Sequence, residues 1–332
     1  MVPTATGSSE MLPEMQVGTL PVNAIEAQGL RKVYRANTDN GHSENEALKG
    51  VDLVVPRGSF FGLLGPNGAG KSTFINILAG LVTKSAGEAK VWGHDITSDA
   101  RQACLSMGVV SQEVFIDPFF TPRESLEFQA GLYAVPKNRR ETDKILAALS
   151  LSDVADAYAR TLSGGMKRRL MVAKAMVHRP PILILDEPTA GVDVELREQL
   201  WIYVKELNRQ GVTIVLTTHY LEEAEALCDR IAIINHGELV TCEPTPDLLA
   251  RLDSKELIVT CDPRPTALPA AFARWNAKLA ADGRIAIRYR PSITRMDELL
   301  AAFGSENLTV VDLVTRESSL EDVFRSLTSA QK

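Results

Sequence analysis

Nine consecutive residues, Gly65-Pro66-Asn67-Gly68-Ala69-Gly70-Lys71-Ser72-Thr73, bring three glycines, a lysine and two hydroxyls into one run. Glycine, four residues, glycine, lysine, then serine is the spacing of a phosphate-binding loop. Its glycines let the backbone curl so that successive N–H groups point inward, and a helix starting behind them adds roughly +0.5 charge. Lys71 would reach the terminal phosphates, and the hydroxyl of Ser72 would hold a magnesium ion. A glycine-rich turn without a ligand is the competing reading, and the flanks decide between them. Phe60-Phe61-Gly62-Leu63-Leu64 reads as a buried strand, and Thr73-Phe74-Ile75-Asn76-Ile77-Leu78-Ala79 as a helix. With strand, loop and helix in that order, the chain is expected to bind a nucleoside triphosphate.

Further groups suit the same chemistry. Asp186 and Glu187 close the apolar run Ile182-Leu183-Ile184-Leu185, and the carboxyl ends of strands are where parallel α/β sheets keep their ligands. Asp186 would partner magnesium, and Glu187, one residue on, would face the water attacking the γ-phosphate. His219 ends another strand-like run and is expected at the same edge. Alone, a histidine is more often structural. Ser163-Gly164-Gly165 opens a helix, so it reads either as an ordinary cap or as a second anion site.

The elements that must position these groups follow from pattern. Strands are expected over 24–34 and 48–55, separated by the polar, turn-rich stretch 35–46, which reads as an exposed loop. A hairpin strand is expected over 86–93 and a short buried one over 108–112. Between 121 and 171 the apolar spacing turns helical, with Leu126, Phe128, Leu132, Ile145, Leu146, Leu149, Leu170 and Met171 on the buried faces. A helix over 194–209, a strand over 212–216 and a Glu-rich helix follow. A hairpin then turns at His236-Gly237. Beyond 246 strands are expected at 257–261, 284–289 and 308–313, with helices at 270–280, 296–303 and 319–327. The division is a disordered tail over 1–22, a nucleotide-binding domain over 23–245 with a helical subdomain over 113–178, and a small α+β domain over 246–332.

Bulk properties exclude several classes. The 332 residues carry a net charge of −6, with 45% hydrophobic and 23% charged residues, as in an ordinary globular protein and without a broad basic footprint for nucleic acid. Cys104, Cys228, Cys242 and Cys261 lie far apart, so neither a zinc site nor a disulfide framework is indicated. No apolar run reaches the length of a membrane span, and the first twenty residues lack the basic start and apolar run of a secretion signal.

Taken together and in this order, the phosphate loop, Gln112, Leu162-Ser163-Gly164-Gly165-Met166, Asp186-Glu187, Asp193 and His219 resemble the ATP-binding-cassette (ABC) ATPases over about residues 25–241. The resemblance implies an α/β phosphate-loop core with an antiparallel β-subdomain, a helical subdomain and an appended C-terminal α+β domain. It implies that Tyr34 stacks on adenine and that Gly65, Pro66, Asn67, Gly68, Ala69, Gly70, Lys71, Ser72 and Thr73 cradle the phosphates of ATP. Ser72, Gln112 and Asp186 would surround Mg2+, with Gln112 also near the attacking water. Glu187 would be the base and His219 the switch histidine. Ser163, Gly164 and Gly165, with Asp193 nearby, would contact the γ-phosphate bound by a second copy, making a head-to-tail homodimer. Met166 and Val194 depart from the commonest family residues. Met166-Lys167-Arg168-Arg169 and Thr217-Thr218-His219-Tyr220-Leu221-Glu222-Glu223 look like the ABC-2 exporters, as does Ser319-Leu320-Glu321-Asp322-Val323-Phe324. That implies an integral membrane permease as partner, no nucleic acid, and a peripheral place on the cytoplasmic membrane face. Phe115, Asp117, Pro118, Phe119, Phe120 and Thr121 would either dock that permease or pack the helical subdomain. The rival is a soluble ABC ATPase outside transport.

Overall fold

A long hairpin opens the fold. Strand β1 (Asn23–Thr38) runs antiparallel to β2 (Gly41–Pro56), and in this computed structural model residues 20–38, 41–189, 194–251, 255–317 and 319–329 are described. The stretch expected as a loop, 35–46, is instead mostly hairpin. Arg31 pairs with Glu46 at 2.8 Å and Arg35 with Glu44 at 2.9 Å, so cross-strand charges supply a solvent-facing ladder with the contacts that apolar residues provide elsewhere.

Next come β3 (Phe60–Leu64), the phosphate loop and helix α1 (Lys71–Leu78), then β4 (Ala86–Val91), β5 (His94–Asp95), a short helix α2 (Ala100–Leu105) and β6 (Met107–Val110). The helical region holds α3 (Pro122–Leu132), α4 (Thr142–Ala148) and α5 (Gly164–Met176), joined by 3-10 turns. Thr121 starts α3 with a capping box: its hydroxyl accepts from the Glu124 N–H while Glu124 accepts from the Thr121 N–H. The core then continues through β7 (Ile182–Asp186), α6 (Val194–Arg209), β8 (Thr213–Thr217), α7 (Leu221–Leu227), β9 (Arg230–Asn235), β10 (Glu238–Pro244) and α8 (Thr245–Ala250).

The central sheet has the order β10-β9-β3-β8-β7-β6, parallel except for β10, and a second, antiparallel sheet has the order β2-β1-β4-β5. Strands β3, β7 and β8 are buried throughout, which explains their unbroken apolar runs. Alternation sorts their side chains into two cores. Phe61, Leu63, Ile182, Ile184 and Val215 face the antiparallel sheet and α1, while Phe60, Leu64, Leu183, Leu185 and Leu216 face the helical side. Each such side chain contributes roughly 1.5–3 kcal/mol. A sheet clamped on both faces holds its strand ends still, and those ends carry the site.

The C-terminal region contains β11 (Lys255–Asp262), β12 (Asn276–Leu279), β13 (Ile285–Tyr289), α9 (Met296–Ser305), β14 (Thr309–Glu317) and α10 (Leu320–Ser329). Its sheet has the order β12-β13-β11-β14. The helix expected over 270–280 is a short 3-10 turn, Ala270–Arg274, followed by strand β12. Ala277 and Leu279 sit opposite Ile287 and Ile285, and pairing to β13 overrides the local helical pattern. Helix α10 leaves this sheet and returns to the core on the helical side of the central sheet. Leu320 and Val323 are buried in the cluster that holds Ala224 and Cys228, and the Leu320 N–H donates to Glu225 Oε2 at 2.9 Å.

Candidate functional site

The phosphate loop is pinned by the turn between β9 and β10. Gly237 N–H donates to the Ala69 carbonyl at 2.9 Å, and the Gly237 carbonyl accepts from Lys49 N–H at 2.9 Å. A Cβ on Gly65 would come within 2.2 Å of the Ile234 carbonyl oxygen, so only glycine lets the loop leave β3 so close to β9. Gly70, at φ 111°, turns the chain into α1 in a conformation that side-chain-bearing residues avoid.

Lys71 lies at the start of α1, with Nζ donating to the Gly65 carbonyl at 2.7 Å and the Pro66 carbonyl at 3.2 Å. Burial holds its ammonium below the ordinary lysine value, while the charges of Glu187 and Asp186 pull it back upward. The next residue bridges to the central sheet: Ser72 Oγ donates to Asp186 Oδ2 at 3.3 Å. The other oxygen of Asp186 accepts the hydroxyl of Thr217, the last residue of β8.

Glu187 follows Asp186 with φ 49°, a left-handed backbone that is strained for a residue with a side chain. The conformation is held from both sides of Thr217: the Glu187 N–H donates to the Thr217 carbonyl at 3.0 Å and to its hydroxyl at 3.1 Å. This turn brings the carboxylate to two groups from different strands. Gln112 Nε2 donates to Glu187 Oε2 at 2.9 Å, and His219 Nδ1 lies 3.5 Å from the same oxygen. His219 also packs on Tyr220, with ring centroids 4.0 Å apart, and the Arg197 guanidinium lies over Tyr220 at 4.7 Å.

Residues 65–73, Gln112, Asp186, Glu187 and His219 therefore form one group at the carboxyl edge of β3, β6, β7 and β8. Among the described residues, Ser163, Gly164 and Gly165 make no hydrogen bond to it. Ser163 caps α5, accepting from the Met166 N–H at 3.2 Å, and both Ser163 and Gly164 are exposed. Tyr34 is exposed on β1, with the Lys32 ammonium 4.8 Å from its ring centre. Asp193 lies outside the described residues. Of the aromatic residues after Gln112, Phe115 and Phe119 are 66% and 70% exposed, while Phe120 stacks on Phe128 with centroids 5.8 Å apart.

Two members of the site carried no role from the sequence. Thr217 was visible only as part of the polar run ahead of His219, with no role of its own. Arg168 is almost fully buried, and its guanidinium donates to the carbonyls of Ser111 and Gln112 at 2.9 and 2.8 Å. Burial lowers the pKa of this arginine, and the carboxylates of Glu187 and Asp186 oppose that shift. Within Lys167-Arg168-Arg169 nothing marked it as the residue that reaches Gln112, and Arg169, equally buried, reaches the Leu149 carbonyl instead.

Ser72 and Asp186 offer paired hard oxygens, which suit a magnesium ion. Among the described residues no three His, Cys, Asp or Glu side chains gather as a metal cage. An ion here would take its other ligands from phosphate oxygens and water, the usual habit of magnesium. The residues present fit it.

Comparison with known proteins gives a consistent picture. Residues 48–190 match the model of the ABC transporter family. The chain is 37% identical to the daunorubicin/doxorubicin resistance ATP-binding protein DrrA of Streptomyces peucetius, with 94% of each chain covered. It is 33% identical to the linearmycin resistance ATP-binding protein LnrL of Bacillus subtilis, over 92% of this chain and 98% of that one. It is also 33% identical to a Nod factor export ATP-binding protein I of Ralstonia nicotianae, over 97% and 98%. Among solved structures, the ATP-binding subunit of an ABC transporter aligns with TM-score 0.62 at 27% identity, covering 69% of this chain and 92% of that one. A dimeric ATP-binding cassette in a post-hydrolysis state with ADP and phosphate aligns with TM-score 0.60 at 26% identity, covering 67% and 98%.

Proposed function

The chain belongs to the ATP-binding subunits of ABC exporters and hydrolyses ATP; on that premise we propose that two copies close head to tail over ATP and drive a separate membrane-spanning permease. The observation that carries this reading is the convergence on Glu187. Its carboxylate meets Gln112 and His219, one residue after an aspartate bonded to the phosphate loop.

Phosphoryl transfer needs positioning and charge neutralisation more than covalent chemistry. In our reading the loop amides and Lys71 hold the β- and γ-phosphates. A magnesium ion bound by Ser72 and Asp186 beside Gln112 would neutralise charge on the phosphate oxygens. Glu187 accepts a proton from water as the water oxygen bonds to the γ-phosphorus and the bridging oxygen leaves with ADP. His219 and Gln112 keep the carboxylate aimed, and Gln112 spends an amide N–H on Glu187 while its Oε1 remains an acceptor. Tyr34 would stack on adenine.

The exposed Ser163 and Gly164 at the start of α5, followed by Gly165, support a site completed across the dimer, because an uncovered helix start offers N–H groups to a phosphate held elsewhere; Asp193 would lie beside that site. Relatives named for drug resistance and for Nod factor export make outward transport the direction we propose. No described helix is long and apolar enough to cross a membrane, so attachment to the cytoplasmic face would come through the permease. The exposed Phe115 and Phe119 beside Gln112 are the surface on which we place that contact.

The test is Glu187→Gln. Turnover should fall by about 10²–10³-fold while ATP still drives dimer formation in sedimentation. Unchanged turnover removes Glu187 from its role. Separately, Phe115→Ser/Phe119→Ser should release the chain from membranes carrying a co-expressed permease without altering its ATP affinity.

A further inference from the structure

Strand β14 is an unusual sheet edge. On one side it pairs with β11, and in the sheet order β12-β13-β11-β14 its other side has no neighbour among the described residues. Sheet edges are normally blunted by shortness, Lys, Pro or a covering element. The opposite edge follows that habit, because β12 has only four residues and carries Lys278. Strand β14 has nine residues, Thr309–Glu317, with neither Lys nor Pro, and residues 311–316 are all exposed; its pairing with β11 is irregular between Val310 and Asp312, while 312–317 keep an unbroken register. Val311, Leu313 and Val314 are 64%, 42% and 48% exposed.

The register shows what the edge lacks. Leu313 and Thr315 sit opposite Val259 and Leu257, which are fully buried beneath α9 and its neighbours. The core layer that covers β11 therefore ends short of β14. On the other face lie Asp312, Val314 and Arg316, opposite Thr260, Ile258 and Glu256. Asp312 and Arg316 are four residues apart on one strand, about 13 Å, too far to pair with each other.

We propose that the free edge of β14 is an interface for a second copy of this chain, joined antiparallel about a two-fold axis at Val314. That register places each Asp312 opposite Arg316 of the second copy, giving two symmetry-related opposite-charge pairs, and sets Leu313 against Thr315 of the second copy. Arg316 then sits between Glu256 of its own sheet and the incoming Asp312. The two four-stranded sheets become one continuous eight-stranded sheet, and the exposed valine and leucine side chains gain a neighbour. No other two-fold antiparallel register brings Asp312 opposite Arg316. The contact needs no nucleotide, so it is separable from the ATP-dependent closure proposed above.

The experiment uses the full chain without ATP, followed by sedimentation velocity across a concentration series. The expected result is a nucleotide-free dimer, with Asp312→Arg weakening it by about tenfold as two like-charge pairs replace two attractive ones. The double variant Asp312→Arg/Arg316→Asp should restore the original affinity. In parallel, Val314→Cys should form a disulfide-linked dimer under mild oxidation. Val311→Cys should not, because its symmetry mate would lie about 20 Å away. A chain that stays monomeric without ATP, or a dimer indifferent to both charge variants, overturns the proposal. So does Asp312→Arg releasing a co-purifying membrane partner while self-association is unchanged. Failure of ATP-dependent closure with the nucleotide-free dimer intact would instead count against the head-to-tail reading alone.

Discussion

The guanidinium of Arg168 donates to the backbone carbonyl of Gln112 at 2.8 Å, tying the helix that begins at Ser163 to the strand end that reaches Glu187. Arg168 is buried, the bond itself is partly so, and the carboxylates of Asp186 and Glu187 lie close enough to favour the charge. Replacing Arg168 by Met takes a charged donor away from two partly buried carbonyls, which costs about 1.5–3 kcal/mol of local order. Turnover should fall about tenfold or more with ATP affinity held within a few-fold, and Arg168→Lys should recover part of it. Steady-state ATPase assays with an ATP titration read the split. An equal loss of binding and turnover would make Arg168 a merely structural residue.

Thr217 is the shared support of both acidic residues. Its hydroxyl donates to Asp186 and accepts from the Glu187 N–H, and it is fully buried. Thr217→Val keeps the volume and removes both bonds. We expect a loss of about 1–3 kcal/mol in transition-state stabilisation, a fall of roughly five- to 150-fold in kcat, with little change in melting temperature. A Thr217→Ser variant retains the hydroxyl and should stay close to the parent.

Gly65 and Gly68 make an internal control. An alanine at 65 drives a methyl to within 2.2 Å of the Ile234 carbonyl, and backbone rather than a flexible side chain must move. Gly68 has φ 79° but nothing within 4 Å of its would-be Cβ. Gly65→Ala should therefore abolish measurable ATP binding, while Gly68→Ala should cost only about 1–2 kcal/mol of backbone strain. Fluorescent-nucleotide titration separates them, and equal losses would show that the close approach to β9 does not shape the loop.

His178 predicts an acid limb in stability. Its Nε2 donates to the Met107 carbonyl at 3.2 Å, its ring stacks on Tyr133 at 3.7 Å, and its buried Nδ1 has no hydrogen-bond partner among the described residues. Burial lowers its pKa from 6.5 to about 4. The unfolded imidazole takes up a proton as pH falls through 6.5, while the folded one resists until about 4. Stability is therefore full above pH 6.5 and is lost progressively towards pH 4. The partly solvated ring limits the loss to about 1–2 kcal/mol. Denaturant melts at pH 7 and pH 5 should show a smaller drop for His178→Gln than for the parent; parallel drops would sink the assignment.

Much of the site is legible in the residues alone. The phosphate loop and Asp186-Glu187 announce themselves because their chemistry is local: a loop that curls around phosphate needs its glycines at fixed spacing, and a buried parallel strand must end where it meets solvent; His219 gains meaning only in their company. The central strands are equally plain, since burial on both faces leaves an unbroken apolar run. Other features depend on partners distant in sequence. The hairpin through 35–46 owes its strands to Arg35 facing Glu44, and β12 owes its conformation to β13, so neither has a local signature. The left-handed Glu187 is held by a threonine thirty residues away, and Arg168 points inward because of where α5 lies against β6. The bare edge of β14 exists only once the sheet order is known. Residue type and spacing determined what this chain can bind. Only tertiary packing decided which polar groups converge on Glu187, because hydrogen bonds across strands are set by sheet register and not by neighbours along the chain.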